Sequence, residues 1–124
     1  MQLHHIALAS SSEKKSDRFY RDLLGLEKKD VRMVPAEKMS QIFNISEEAR
    51  LINYSGNNGL LFEIFVTPAR EIVAVSHSCL IVDDRDGFFE KCLRMDVPVH
   101  RIPRGDGTFI VFIRDDDNNL FEIK

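Results

Sequence analysis

Tryptophan is missing from the chain, and cysteine occurs only twice, at Cys79 and Cys92. Two thiols in no CxxC or zinc-ribbon spacing exclude a disulfide framework and a four-thiolate metal site. They are expected to be reduced, in a cytoplasmic protein. An excess of positive charge is missing too. Lys and Arg number 17 against 20 Asp and Glu, a net charge of −3. That argues against nucleic acid as a partner, because phosphate binding draws on clustered basic side chains. No apolar run approaches the ~20 residues of a membrane span, so no membrane is expected as a partner. The opening Met1-Gln2-Leu3-His4-His5 has neither the basic nor the apolar region of a signal peptide. What remains is an ordinary globular composition, 44% hydrophobic and 30% charged over 124 residues. This is one domain's worth, or two very small modules sharing a core. It can bury roughly two-thirds of its extended-chain surface without a staple.

What is present is a repeat. Leu61-Phe62-Glu63-Ile64 and Leu120-Phe121-Glu122-Ile123 are identical, and each follows paired asparagines, Asn57-Asn58 and Asn118-Asn119. Upstream of each copy a histidine opens an apolar run, His5 before the first and His77 before the second. Long-range self-similarity sets architecture. Here it implies one module used twice, over 1–67 and 73–124, each copy offering one imidazole and one carboxylate.

Local patterns place these residues on strands. Residues 3–9 and 73–82 are short apolar runs and are predicted as strands. Ser10 to Ser12 offer N-caps for a helix carrying Phe19, Tyr20, Leu23 and Leu24, ending near Gly25. Residues 26–34 are predicted extended, 35–48 a loop with a helical turn, and 50–54 and 60–66 a hairpin around Gly56. Thr67 to Arg70 is the candidate boundary, since Pro68 ends the strand. Asp83 or Asp84 should cap a second helix with Phe88, Phe89, Cys92 and Leu93 inward. Strands at 98–102, 108–114 and 120–124 follow. Each half is thus strand, helix and three strands.

Alternation along strands gives His5, Glu63, His77 and Glu122 apolar neighbours, on faces expected to point inward. Buried carboxylates need a counter-charge, and a divalent cation would provide it. Two nitrogens and two oxygens with room for water suit a five- or six-coordinate Ni, Co, Zn, Mn or Fe site. Such an ion acts as a Lewis acid on a substrate carbonyl, while a Glu released from it can move a proton.

At these residues the sequence resembles the vicinal oxygen chelate superfamily, which includes glyoxalase I, fosfomycin and bleomycin resistance proteins and extradiol dioxygenases. Leu3-His4-His5-Ile6-Ala7-Leu8 is similar to its opening strand, and Phe19-Tyr20 with Leu24-Gly25-Leu26 to its first helix. Gly105 to Thr108, running through Phe112, Asp115 and Asp117 to Glu122, resembles its C-terminal run. The resemblance implies an α+β fold, two tandem βαβββ modules forming a U-shaped mixed sheet around a central pocket. It places His5, Glu63, His77 and Glu122 on the metal positions, with Glu63 and Glu122 as catalytic carboxylates. It further implies a homodimer and a small oxygenated substrate, related to a 2-oxoaldehyde and handled through an enediolate by a lyase or isomerase like lactoylglutathione lyase. The alternatives are a metal-free drug-binding protein of the same fold and an iron-dependent dioxygenase. Bacterial glyoxalase I holds glutathione with an Arg after its first ligand and an Asn after its second. Ala9-Ser10 and Phe65-Val66-Thr67 lack both, so the thiol stays open.

Other residues have plainer readings. His4 is expected on the opposite face from His5, and His100 on an edge strand. Cys79 is expected as a small core residue that could also line the pocket. Cys92 belongs to the helix core, and Asp115 to Asp117 to a solvated turn. Arg101 and Arg104 are either surface charge or holders of an anionic substrate.

Overall fold

The computed structural model describes residues 4–68 and 76–124. The predicted positions Leu3, Ala69, Arg70 and 73–75 lie outside the described residues. The chain divides into two compact units, Met1–Ile72 and Val73–Lys124. Both are α+β, and both have the same topology.

Unit 1 opens with β1 (Ile6–Ser10) and α1 (Glu13–Ser16). Ser12 caps α1, its Oγ accepting from Lys15 N at 3.2 Å, and Glu13 in the first turn suits the helix dipole. The helix widens into a π-helical stretch over Asp17–Leu23, closed by Leu24 N donating to Phe19 O at 3.0 Å. Gly25 ends it at φ 71°, a left-handed geometry that favours glycine. Then come β2 (Glu27–Val34), α2 (Ala36–Phe43), β3 (Ala49–Ser55) and β4 (Leu61–Val66). The sheet order is β1-β4-β3-β2, with β1 parallel to β4 and the other pairs antiparallel.

One face of this sheet packs on the first helix. Tyr20 stacks on Tyr54 and contacts Phe62, each at 5.3 Å between ring centroids, and Phe19, Leu23, Ile52 and Ile64 are buried with them. Part of the other face is covered by α2, whose Met39 is buried among Val34, Ala49 and Leu51, with Phe65 alongside. The sequence predicts only a helical turn here. The full helix lacks a side-chain cap at Pro35, and its stability comes from this tertiary cluster.

Unit 2 repeats the plan without the inserted helix: β5 (Ser78–Leu80), α3 (Arg85–Arg94), β6 (His100–Pro103), β7 (Phe109–Arg114) and β8 (Leu120–Ile123). Its order is β5-β8-β7-β6, again with the first strand parallel to the last. Asp84 is the cap, accepting from Gly87 N at 3.0 Å. Leu80, Val97, Val111, Ile113, Phe121 and Ile123 form the core with Cys92 of α3. Leu93, expected inward, is 80% exposed. The stripe of α3 that meets the core is narrow and centred on Cys92, and the next residue is turned roughly 100° away.

Candidate metal centre

Strand register brings each histidine to its glutamate in the same way. In unit 1, Ala7 is the partner of Glu63 across the parallel β1–β4 pair, and His5 lies two residues before Ala7. In unit 2, Cys79 is the partner of Glu122 across β5–β8, and His77 lies two residues before Cys79. Side chains two apart share a face. The result is His5 Nε2 3.5 Å from Glu63 Oε2, and His77 Nε2 3.3 Å from Glu122 Oε2.

These separations suit chelation better than a direct hydrogen bond. A charge-assisted bond draws its heavy atoms to about 2.7–2.9 Å. Two donors on one cation, each bound at roughly 2.0–2.2 Å with an angle near 90–110°, stand about 3.0–3.5 Å apart. By that test each pair fits one edge of a coordination polyhedron. Within each unit, no third His, Cys, Asp or Glu among the described residues joins its pair closely enough to hold an ion.

The pairs occupy the face of each sheet opposite the one packed on its first helix. Phe62 and Ile64 are buried on the helix side, while Glu63 retains 18% of its side-chain exposure and Glu122 13%. Their histidines are more open, at 39% and 43%. Cys79 is likewise exposed rather than core, because it shares the Glu122 face and not that of buried Leu80.

Neighbouring groups orient the donors. His4 does not turn away from His5. Their Nδ1 atoms are 3.0 Å apart and the rings meet edge to face, which leaves His5 Nε2 directed at Glu63, as outer partners of ligating histidines do. His4 precedes β1, which begins at Ile6, so the pleat of the strand does not set the direction of its ring. Asn53 is the partner of Glu63 on β3, and its Oδ1 is buried without a hydrogen-bond partner. The His77 ring meets Phe112 edge-on, 5.7 Å between centroids. Lys124 Nζ lies 3.5 Å from Glu122 Oε1. Asp115, expected to be solvated, is buried instead. It accepts from the backbone N–H groups of Asp117 and Asn119 at 3.0 and 2.9 Å, locking the turn that delivers β8 and Glu122.

The two arginines are placed elsewhere. Arg101 is the partner of Val111, whose side chain is buried, so it lies on the opposite face from Glu122. Its guanidinium sits 5.3 Å from the centre of the Phe89 ring, which Arg85 also approaches at 5.6 Å. Together with Asp84 and Thr108 they line an open cleft on the helix side. Arg104 is exposed in the β6–β7 turn, its backbone N donating to Thr108 O at 3.0 Å. What the sequence did not single out is α2, which puts Phe43 against Phe65 at 5.1 Å between centroids, on the Glu63 side of its sheet.

Among solved structures the chain is similar to a glyoxalase family protein from Enterococcus faecalis, at 19% identity and a TM-score of 0.73, covering 98% of this chain and 95% of that one. It is also similar to the fosfomycin resistance protein FosX from Listeria monocytogenes, solved as an E126Q mutant with Mn(II) and 1S,2S-dihydroxypropylphosphonic acid. That match has 18% identity and a TM-score of 0.72, covering 98% and 90% of the two chains. A glyoxalase family protein from Bacillus anthracis matches at 14% identity and a TM-score of 0.71, covering 99% and 93%. At such identities the likeness establishes the fold. No curated protein matches the sequence. No helix among the described residues is long and apolar enough to cross a membrane. A family model covers residues 2–123, and on that match the chain belongs to the glyoxalase/bleomycin resistance protein/dioxygenase superfamily.

Proposed function

We propose that the protein is a metal-dependent enzyme of the glyoxalase kind, a lyase or isomerase whose divalent cation is held by His5, Glu63, His77 and Glu122. One observation supports this above the others: two His–Glu pairs at the same register offset, with donor separations of 3.5 and 3.3 Å, in units whose surrounding packing differs. When bound, a divalent ion supplies Lewis acidity toward the paired oxygens of a small substrate. The chain supplies the rest. Each glutamate keeps one carboxylate oxygen toward its histidine and has a second that can take or return a proton between adjacent substrate carbons. The His4–His5 contact fixes which imidazole nitrogen faces Glu63. The Phe112 ring shields one side of His77. In this reading the partner is a small oxygenated molecule, and the chain acts as a homodimer.

The second reading is a metal-free module that sequesters a small molecule. Lys124, 3.5 Å from Glu122, favours it by giving that carboxylate a cation without a metal.

Elemental analysis of protein purified without added metal, followed by cobalt titration, separates the two. The proposal expects stoichiometric uptake, lost on His5→Ala or His77→Ala, and isomerisation of the methylglyoxal–thiol adduct by the loaded protein. Protein that takes up no divalent ion yet retains a ligand supports the second reading.

A further inference from the structure

The open face of unit 2 continues past Glu122 in a single row. Glu122 is the register partner of Phe112 on β7, and Phe112 in turn of His100 on β6. Register partners share a face, and two independent contacts fix which one. The Phe112 ring meets His77, and Arg101, the residue after His100, reaches the Phe89 ring on the other side. His100 is therefore exposed on the same face as the His77–Glu122 pair. Ile102, 49% exposed, is two residues along β6 on that face, opposite Ile110. Moving outward from Glu122, the row reads carboxylate, aromatic ring, imidazole, with aliphatic side chains beside the ring. Strands are spaced about 4.8 Å apart, so Glu122 and His100 stand roughly 10 Å apart at their Cα atoms. A metal–oxygen bond at one end and a hydrogen bond at the other take up roughly 5 Å of that span, which leaves the length of a few carbons.

We infer that His100 is a positioning residue for substrate, and that the substrate class is an elongated oxygen chelator. Its chelating oxygens lie at the His77–Glu122 end, its short apolar middle crosses Phe112, and an anionic or hydrogen-bonding terminus reaches His100. Imidazole is the polar group closing this row, and it suits a carboxylate or phosphonate terminus as a hydrogen-bond donor. The inference deepens the metal-dependent reading and rests on it.

The experiment measures binding rather than turnover. Cobalt-loaded protein is titrated calorimetrically with 2-oxoglutarate and 2-oxoadipate, and with 2-oxopentanoate and 2-oxohexanoate, which match them in carbon number but lack the distal carboxylate. The dicarboxylates are expected to bind about tenfold more tightly, the scale of one hydrogen bond to a charged group. His100→Ala should remove that preference, and His100→Lys, which restores a donor, should recover it. Phe112→Ala should weaken all four probes alike. An equal affinity for matched acids, or a preference that survives His100→Ala, overturns the role of His100 and leaves the metal site standing. Failure to take up cobalt at all overturns the metal site and this inference together.

Discussion

Unit 1 and unit 2 have the same strand order and the same His–Glu register, yet they are held together differently. In unit 1 both sheet faces carry helix cover, and a charged cluster ties the first helix to the sheet. The Tyr54 hydroxyl donates to Asp17 at 2.7 Å, and Lys28 reaches Asp17 at 3.0 Å and Glu13 as well. Arg50 holds the other Glu13 oxygen at 2.7 Å. Unit 2 has one helix over its sheet, with Cys92 as that helix's buried residue. The pair geometry is nearly equal in the two units, 3.5 and 3.3 Å. It is therefore set by strand register, while the packing around it was free to diverge.

The contrast can be broken first in the core. Phe62→Ala should cost unit 1 about 3–5 kcal/mol, since its fully buried ring meets Tyr20. Both tyrosines of the chain, Tyr20 and Tyr54, are in unit 1, so tyrosine fluorescence in a urea titration isolates that loss.

A smaller loss comes from the charged cluster. Asp17→Ala orphans the Tyr54 hydroxyl and removes a partner of Lys28, for about 2–3 kcal/mol. The same cluster makes unit 1 acid-sensitive. The hydrogen bond from Lys28 holds the Glu13 carboxyl below its usual 4.5. Burial pushes the Asp17 carboxyl up, but Tyr54, Lys28 and Arg21 outweigh it and hold the group below its usual 3.8. Both folded values lie under the unfolded ones. Their stabilisation is complete above the unfolded values and is lost as pH falls through the lowered folded ones. Urea midpoints followed by tyrosine fluorescence should drop between about pH 6 and pH 3, and less so in Asp17→Ala. An equal drop in the variant would show that Asp17 contributes nothing to it.

The smallest effect is in unit 2. Asp84→Ala removes the cap of α3 and should cost about 1 kcal/mol, read from the helical circular dichroism signal during urea unfolding. It should leave tyrosine fluorescence unchanged if the units respond independently.

The duplicated tetrapeptide made the topology and the His–Glu pairs legible before any coordinates. Which side of each sheet is covered was not. Leu61-Phe62-Glu63-Ile64-Phe65-Val66 is apolar on both faces apart from Glu63, so alternation carries no sign there. The sign comes from Tyr20 packing on Phe62, a contact 42 positions apart. The sequence left Arg101 open between surface charge and an anion holder, for a related reason. Charge suggested a role toward an anion, but one step of register from His100 turns it to the helix side. The helix α2 was obscure because it lacks a side-chain cap and is held by contacts with strands on either side of it in sequence.

Parallel pairing between the opening and closing strands has a temporal consequence. His5 and Glu63 are 58 positions apart, and His77 and Glu122 are 45. Neither pair can exist until the final strand of its own unit has docked beside the first, a late and non-local event. A cation shared across that seam would act as a clasp, binding only the finished article and slowing its undoing.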